Sequence, residues 1–174
     1  MRLPCKWSLQ SLMLATLLGS VAVAEVKVPN IFTDHMVLQQ KQANKVWGTA
    51  IPEEAITVTI GDQQHMAKAD ENGHWSLMLE PLDAGGPYEL VIKGSNEIKI
   101  SDVLVGEVWI CSGQSNMQWT VANSTNADLE KVTAKHPTIR MINYPRVGSQ
   151  EPVWTHDDAQ WMVCSPETVS SFSA

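Results

Sequence analysis

The sequence predicts an all-β domain followed by the beginning of an α/β layer. Between residues 26 and 100, short segments of alternating apolar and polar residues are separated by turn residues, and no stretch keeps helical periodicity. From residue 103 to residue 111 the sequence becomes almost continuously apolar, which is typical of a strand covered on both faces. Because such strands occur mainly in parallel sheets between helices, we expect the fold class to change at about residue 102.

The first 24 residues are typical of a secretory signal peptide. Arg2 and Lys6 precede an apolar stretch, and Ala22 and Ala24 form a small-x-small cleavage pattern before Glu25. A membrane anchor is the weaker alternative, because the apolar run is shorter than the roughly 20 residues that a spanning helix needs. We therefore expect a periplasmic or extracellular protein that is free of the membrane after cleavage.

Short strands are expected throughout the front domain, residues 25–101. The clearest alternating segments are 56–60, 75–79, 88–92 and 97–100, and turns containing Gly, Asn or Asp separate them. Strands this short at this spacing indicate a small β-sandwich.

Residues 102–174 are expected to begin an α/β domain. Segment 103–111 would be a central parallel strand, and segments 139–144 and 160–164 would be two further strands. A helix would begin at Ser165, with Pro166 in its first turn. Because so small a layer leaves sheet edges and apolar faces uncovered, we expect a truncated domain.

The charge balance argues against some partners. The sequence has 19 acidic and 12 basic residues, and loss of Arg2 and Lys6 with the leader leaves 19 against 10. A nucleic-acid partner or an anionic lipid surface is not expected of such an acidic chain. No Cys/His spacing resembles a zinc site. Cys111 and Cys164 could pair after export, or they could be two separate thiols buried in apolar strands.

A candidate nucleophile lies in the turn after the apolar run. Ser115 is at the centre of GQSNM, residues 113–117, where the end of a buried strand can present a side chain at the carboxyl edge of a sheet. Gln114 and Asn116 would support this turn. The run lacks the Gly-x-Ser-x-Gly pattern, so a turn serine that only caps the next segment is the alternative.

Several segments resemble the sialate O-acetylesterase family of SGNH-type carbohydrate esterases. Residues 105–117, VGEVWICSGQSNM, are similar to the nucleophile block of that family almost residue for residue. Residues 29–40, 46–50 and 85–90 match the preceding domain in the same order, and the resemblance extends from about Val28 to Ala174.

The resemblance implies a β-sandwich followed by a flavodoxin-like three-layer α/β/α hydrolase domain that needs no metal or other cofactor. Ser115 would attack the acetyl carbonyl of an O-acetylated carbohydrate, and its backbone N–H would stabilise the oxyanion. O-acetylated sialic acid is the favoured substrate, and acetylated xylan or another plant glycan is the alternative. Nothing in the sequence indicates an oligomeric state.

The general base that the family places in an Asp-x-x-His block is not found after Ser115. His136 and His156 are the two later histidines, and neither has an aspartate three residues before it. Residues 62–65 spell Asp-x-x-His but precede the serine in an expected hairpin. We therefore expect this chain to be inactive by itself.

Two tryptophans are candidates for a substrate wall. Trp119 follows the serine turn and Trp154 lies in a polar loop, whereas Trp47, Trp75 and Trp109 lie in strand patterns and are expected in cores. A non-catalytic carbohydrate-binding module is the alternative function, although such a module does not need a strand-turn-serine unit.

Overall fold

A computed structural model describes residues 25–145, 147–156 and 158–173. The signal peptide expected over residues 1–24 lies outside the described residues. The described part of the chain is mostly β-sheet, with one α-helix, α1 (Ala127–Thr133), and short 3-10 turns. Its strands, in chain order, are β1 (Val37–Gln39), β2 (Asn44–Thr49), β3 (Ala55–Ile60), β4 (Gln63–Lys68), β5 (His74–Leu79), β6 (Gly85–Lys93), β7 (Glu97–Gly106), β8 (His136–Ile142) and β9 (Trp161–Cys164).

The front unit consists of a five-stranded mixed sheet and a two-stranded antiparallel sheet. The large sheet has the order β1-β7-β6-β3-β4, and its only parallel pair among the described strands is β1 with β7. Strands β2 and β5 form the small sheet. The four strands predicted from alternation are all confirmed, with somewhat wider bounds.

One hydrophobic core serves both sheets. Ile56, Val58 and Ile60 on β3 are fully buried, as alternation with a period of two residues requires. Val46 and Leu79 belong to the same buried cluster although they lie on the small sheet. Trp75 is buried in this cluster and Trp47 packs against it, so both tryptophans are core residues as expected.

The prediction of a buried central strand over residues 103–111 was wrong. Residues 103–106 are the end of β7, which begins at Glu97 and pairs with β6 and β1. Residues 107–113 have no regular secondary structure and are exposed. Trp109 is 82% exposed and Ile110 is 92% exposed, so Trp109 is not a core residue. The apolar run continues past Gly106, but the described residues provide no neighbouring strand to cover it.

The predicted three-stranded layer, with segment 103–111 as its central parallel strand, is also absent from the described residues. β8 and β9 pair with each other and are antiparallel, and neither pairs with β7. The helix expected from Ser165 is a turn followed by a single 3-10 turn, Val169–Ser171. The Ser165 hydroxyl accepts a hydrogen bond from the Glu167 N–H at 3.2 Å, but this bond lies in a turn, and Ser165 does not cap a helix.

The pair of strands β8 and β9 is attached to the front unit through Trp161. The Trp161 indole N–H donates to the Ile31 carbonyl at 2.9 Å, and Trp161 packs against the front core. A small second core forms under the hairpin from Ala134, Met141, Cys164 and Val169. No helix among the described residues is long and apolar enough to cross a membrane.

Candidate functional site

Ser115 is exposed and begins a 3-10 turn, Ser115–Gln118. Gln114, just before the turn, has φ −110° and ψ −144°, which is neither a helical nor a standard extended conformation. The Met117 N–H donates to the Gln114 carbonyl at 2.9 Å, and the Trp119 N–H donates to the Asn116 carbonyl at 3.1 Å. Gln114 and Asn116 therefore support the turn through their main-chain oxygens.

The N–H groups at the start of this turn are free to bind a ligand. The first N–H groups of a helical turn have no partner within it. Among the described residues, none accepts a hydrogen bond from the N–H of Ser115 or Asn116, or from the Ser115 hydroxyl. The Ser115 hydroxyl and two unpaired backbone donors thus lie on adjacent residues in solvent.

The turn is tied to the last described residues of the chain. The Ser173 hydroxyl donates to the Met117 carbonyl. The Val121 N–H donates to the Phe172 carbonyl at 3.0 Å, and both side chains pack against the small second core. The orientation of the serine turn therefore depends on residues 172–173.

No described histidine is hydrogen-bonded to Ser115. His136 is exposed on β8, and the His156 ring contacts Tyr144 edge-on with centroids 5.9 Å apart. His65 lies in the β3–β4 hairpin, as expected, and bonds to the Gln63 side chain at 3.1 Å. Within the part of the chain that the structure describes, Ser115 thus has no hydrogen-bonded histidine.

The two candidate tryptophans lie in different surroundings. Trp119 ends the serine turn and is 62% exposed. Trp154 is 42% exposed, and its ring contacts His74 of β5 at a centroid distance of 5.9 Å. The cavities lined by Trp154 include no residue of segment 107–123, so neither brings Trp154 together with Ser115 or Trp119.

Sequence analysis missed an ion cluster between the front unit and β8. The Arg140 guanidinium donates to both carboxylate oxygens of Asp102, at 2.6 and 3.1 Å, and His35 Nδ1 donates to Asp102 Oδ2 at 2.7 Å. The hydrogen bonds from Arg140 first, and from His35 second, hold the pKa of Asp102 below its ordinary value. An arginine in the apolar segment 139–144 was the one signal in the sequence that pointed to a buried charge.

Cys111 and Cys164 are not joined to each other. Cys111 is exposed in the irregular segment after β7, whereas Cys164 is buried in β9. Of the two alternatives, a disulfide or two separate thiols, the structure shows separate thiols, and only Cys164 is buried as expected. Among the described residues, no group of three His, Cys, Asp or Glu side chains is arranged to hold a metal ion.

Comparison with known proteins gives two kinds of relative. No family model matches the chain. A curated sialate O-acetylesterase from Mus musculus is 34% identical over 143 residues, which cover 74% of this chain and 26% of the relative. The Homo sapiens sialate O-acetylesterase is 34% identical over 141 residues, which cover 72% of this chain and 27% of the relative. This chain thus spans about a quarter of the length of these curated relatives.

A solved structure is also similar. It is a crystal structure described as a novel carbohydrate acetylesterase from Xanthomonas citri, with a TM-score of 0.82 and 33% sequence identity. The match covers 86% of this chain and 35% of that one, so this chain spans about a third of the length of that structure.

Proposed function

We propose, on the premise that this chain belongs to the sialate O-acetylesterase family of carbohydrate esterases, that it carries the nucleophile of an enzyme that releases acetate from O-acetylated sugars. The names of the relatives support acetylesterase activity in general. The observation that carries the assignment to Ser115 is its exposed hydroxyl beside two unpaired backbone N–H groups.

The proposed reaction is a double displacement at the acetyl carbonyl. Ser115 Oγ attacks the carbonyl carbon while a base takes its proton, and the N–H groups of Ser115 and Asn116 donate to the developing oxyanion. The sugar hydroxyl leaves with a proton, so Ser115 becomes acetylated. Water then attacks the acetyl group, which releases acetate and restores the serine hydroxyl.

A serine hydroxyl reacts slowly until a base accepts its proton. Since no described histidine is bonded to Ser115, we propose that the base comes from residues outside these 174 and that this chain by itself has little esterase activity. O-acetylated sialic acid is the favoured substrate because the curated relatives are named for it. Acetylated xylan or another plant glycan is the second possibility, since the Xanthomonas citri relative is named only as a carbohydrate acetylesterase.

The domain division and location remain part of this proposal. Residues 25–101 would form a small β-sandwich, which the single core shared by two sheets supports. The expected boundary at residue 102 falls within β7 of the front sheet, so the residues after β7, 107–174, are the ones that would belong to a flavodoxin-like α/β/α domain of the SGNH type. The leader pattern over residues 1–24 supports a periplasmic or extracellular protein.

Hydrolysis of p-nitrophenyl acetate tests the role of Ser115. The rate should be measured for the 174-residue chain and for a longer protein that carries the same residues, each with Ser115→Ala and with Ser112→Ala as a matched control. We expect Ser115→Ala to lower the rate of the longer protein by roughly 10⁴-fold or more, because the acyl-enzyme can no longer form. Ser112→Ala should leave that rate close to its original value.

Two results would contradict the proposal. One is a longer protein whose activity survives Ser115→Ala. The other is serine-dependent turnover by the 174-residue chain at the rate of the longer protein, because a base would then be present within this chain.

A further inference from the structure

Two cavities meet at the ring pair of Trp154 and His74 on the surface of the front unit. Their volumes are about 490 Å³ and 680 Å³, and both rings line both cavities. Sites for small ligands commonly measure roughly 300–1,000 Å³. We call the two cavities and the ring pair between them the Trp154 groove.

The first cavity combines aromatic rings with hydrogen-bonding groups. Trp47 and Trp75 line it together with Lys45, Asp70 and Ser76. The buried Trp75 indole N–H has no acceptor among the described residues. A buried donor without a partner is uncommon in folded proteins, and an ordered water that bridges it to other polar groups is one explanation.

The second cavity is lined in a similar way. Val28 and Ile98 provide apolar surface, and Lys27, Thr49 and Thr155 provide polar groups. Cavities that mix an aromatic or apolar wall with a few polar groups suit ligands that have one apolar face and hydroxyls at their edges. A pyranose ring has this distribution.

Trp154 is held in place although it lies outside helices and strands. The Asn30 backbone N–H donates to the Thr155 hydroxyl at 3.0 Å, and the Asn30 side-chain amide donates to the His156 carbonyl at 3.0 Å. The two residues that follow Trp154 are therefore fixed to the front unit. A ring positioned in this way loses little freedom when a ligand packs on it.

We propose that the Trp154 groove binds a glycan of at least two sugar units, with one unit in each cavity and a sugar face against Trp154. The inference rests on the proposed function only in taking a carbohydrate as the ligand. It assigns a binding site on the front unit in addition to the Ser115 turn, because no residue of segment 107–123 lines either cavity. The groove would hold a glycan chain and leave catalysis to the serine.

Isothermal titration calorimetry with the 174-residue chain tests the proposal, with xylohexaose and 3′-sialyllactose as the two probes. We expect saturable binding of one or both probes. Trp154→Ala should weaken the association constant by roughly tenfold or more, since an aromatic contact surface is lost. Trp154→Phe should retain most of the binding, and Trp109→Ala, which removes an exposed tryptophan that lines neither cavity, should not change it.

Lys45→Ala provides a second variant in case Trp154→Ala unfolds, because Lys45 is exposed and lies outside the core. It should weaken binding several-fold while the far-ultraviolet circular dichroism stays the same. Absence of saturable binding to both probes at millimolar concentration would overturn the proposal. Equal binding by the original chain, Trp154→Ala and Lys45→Ala would also overturn it.

The Ser115→Ala chain separates this inference from the esterase proposal. It should bind the probes as tightly as the original chain, because Ser115 lies outside both cavities. If the 174-residue chain binds neither probe while the longer protein shows serine-dependent hydrolysis, only the proposal of the binding site is contradicted. If the 174-residue chain binds a probe while the longer protein shows no serine-dependent hydrolysis, only the esterase proposal is contradicted.

Discussion

Asp102 is the acceptor on which the buried Arg140 depends. The Arg140 side chain is 5% exposed. Among the described residues, the oxygens that accept hydrogen bonds from its guanidinium both belong to Asp102. His35 and Asp102 both have left-handed backbones, with φ of 69° and 54°, a region that residues other than glycine seldom adopt. The backbone of His35 and Asp102 is therefore strained, and the contacts of the ion cluster and its surroundings must offset this strain.

Asp102→Asn should destabilise the chain by about 1–3 kcal/mol at pH 7, because the buried guanidinium loses its charged acceptor. The expected loss is smaller than for a fully buried pair, since the Asp102 side chain is 34% exposed. Urea unfolding followed by circular dichroism measures it. Glu97→Gln is the matched control, because Glu97 on the same strand forms an exposed 3.4 Å ion pair with Lys99. An equal effect of both substitutions would contradict this account.

The stabilisation by Asp102 should depend on pH in one direction. Its pKa is lowered in the folded protein, so the unfolded chain binds a proton more readily than the folded chain does. The contribution is complete above the unfolded-state pKa of about 3.9 and is lost as the pH falls through the lower folded-state pKa. The difference in unfolding free energy between the original chain and Asp102→Asn should thus be large at about pH 5 and shrink below about pH 4. A difference that grows on acidification would contradict the sign.

Among the elements, the small sheet of β2 and β5 depends on a glycine that lets three segments approach closely. Gly48 on β2 pairs with Trp75 on β5, and the neighbouring Thr49 exchanges two 2.8 Å backbone hydrogen bonds with Lys27. A methyl group on Gly48 would lie 2.2 Å from the Lys27 carbonyl oxygen and 2.6 Å from Trp75 Cζ2. Both neighbours are fixed, one by the backbone and the other by burial in the core.

Gly48→Ala should therefore destabilise the front unit by about 1–3 kcal/mol or more, because the added methyl overpacks a site that cannot expand. Thermal unfolding followed by tryptophan fluorescence measures the loss. Gly148→Ala is the control, because a methyl group there meets no atom within 4 Å. The control should change the unfolding free energy by less than about 0.5 kcal/mol. A stable Gly48→Ala chain would show that β2 can move away from Lys27.

At the level of the whole molecule, the segment after β7 exposes a continuous apolar surface. Trp109 and Ile110 are almost fully exposed and are adjacent in the sequence, and Val108 beside them is 39% exposed. Folded proteins seldom leave such surface in contact with water, and where they do, it promotes association.

We therefore expect the 174-residue chain to self-associate as its concentration rises. The double substitution Trp109→Ser and Ile110→Ser should lower the weight-average mass measured by size-exclusion chromatography with light scattering. Met66→Ser is the control, because Met66 is a single exposed methionine on β4 and is 71% exposed. A monomeric chain at all concentrations, or an equal effect of the control, would contradict this expectation.

Prediction from sequence was successful where burial and local pattern agree. The strands containing Ile56, Trp75 and Ile98 were found because each alternates between a core and a solvent face. β4 was expected only as part of a hairpin and was not given bounds, because its residues alternate between partly covered and exposed, so its hydrophobic signal is weak. Helix α1 was missed because none of its residues is buried, so no apolar stripe marks it.

The candidate site was predictable only in part, because a sequence pattern indicates local structure but not contacts between distant residues. Ser115 and its turn are a local feature, and the short-range sequence predicts them without knowledge of any partner. The partners of Asp102 and Trp154 lie far away in the chain, at Arg140 and His74, and nothing in the local pattern indicates those contacts. The sequence by itself therefore determined the front strands, the serine turn and the family. Only the tertiary structure decided that the apolar run after Gly106 is uncovered, that Trp154 faces the front unit and that Arg140 is buried against Asp102, because each of these depends on which distant segments pack together.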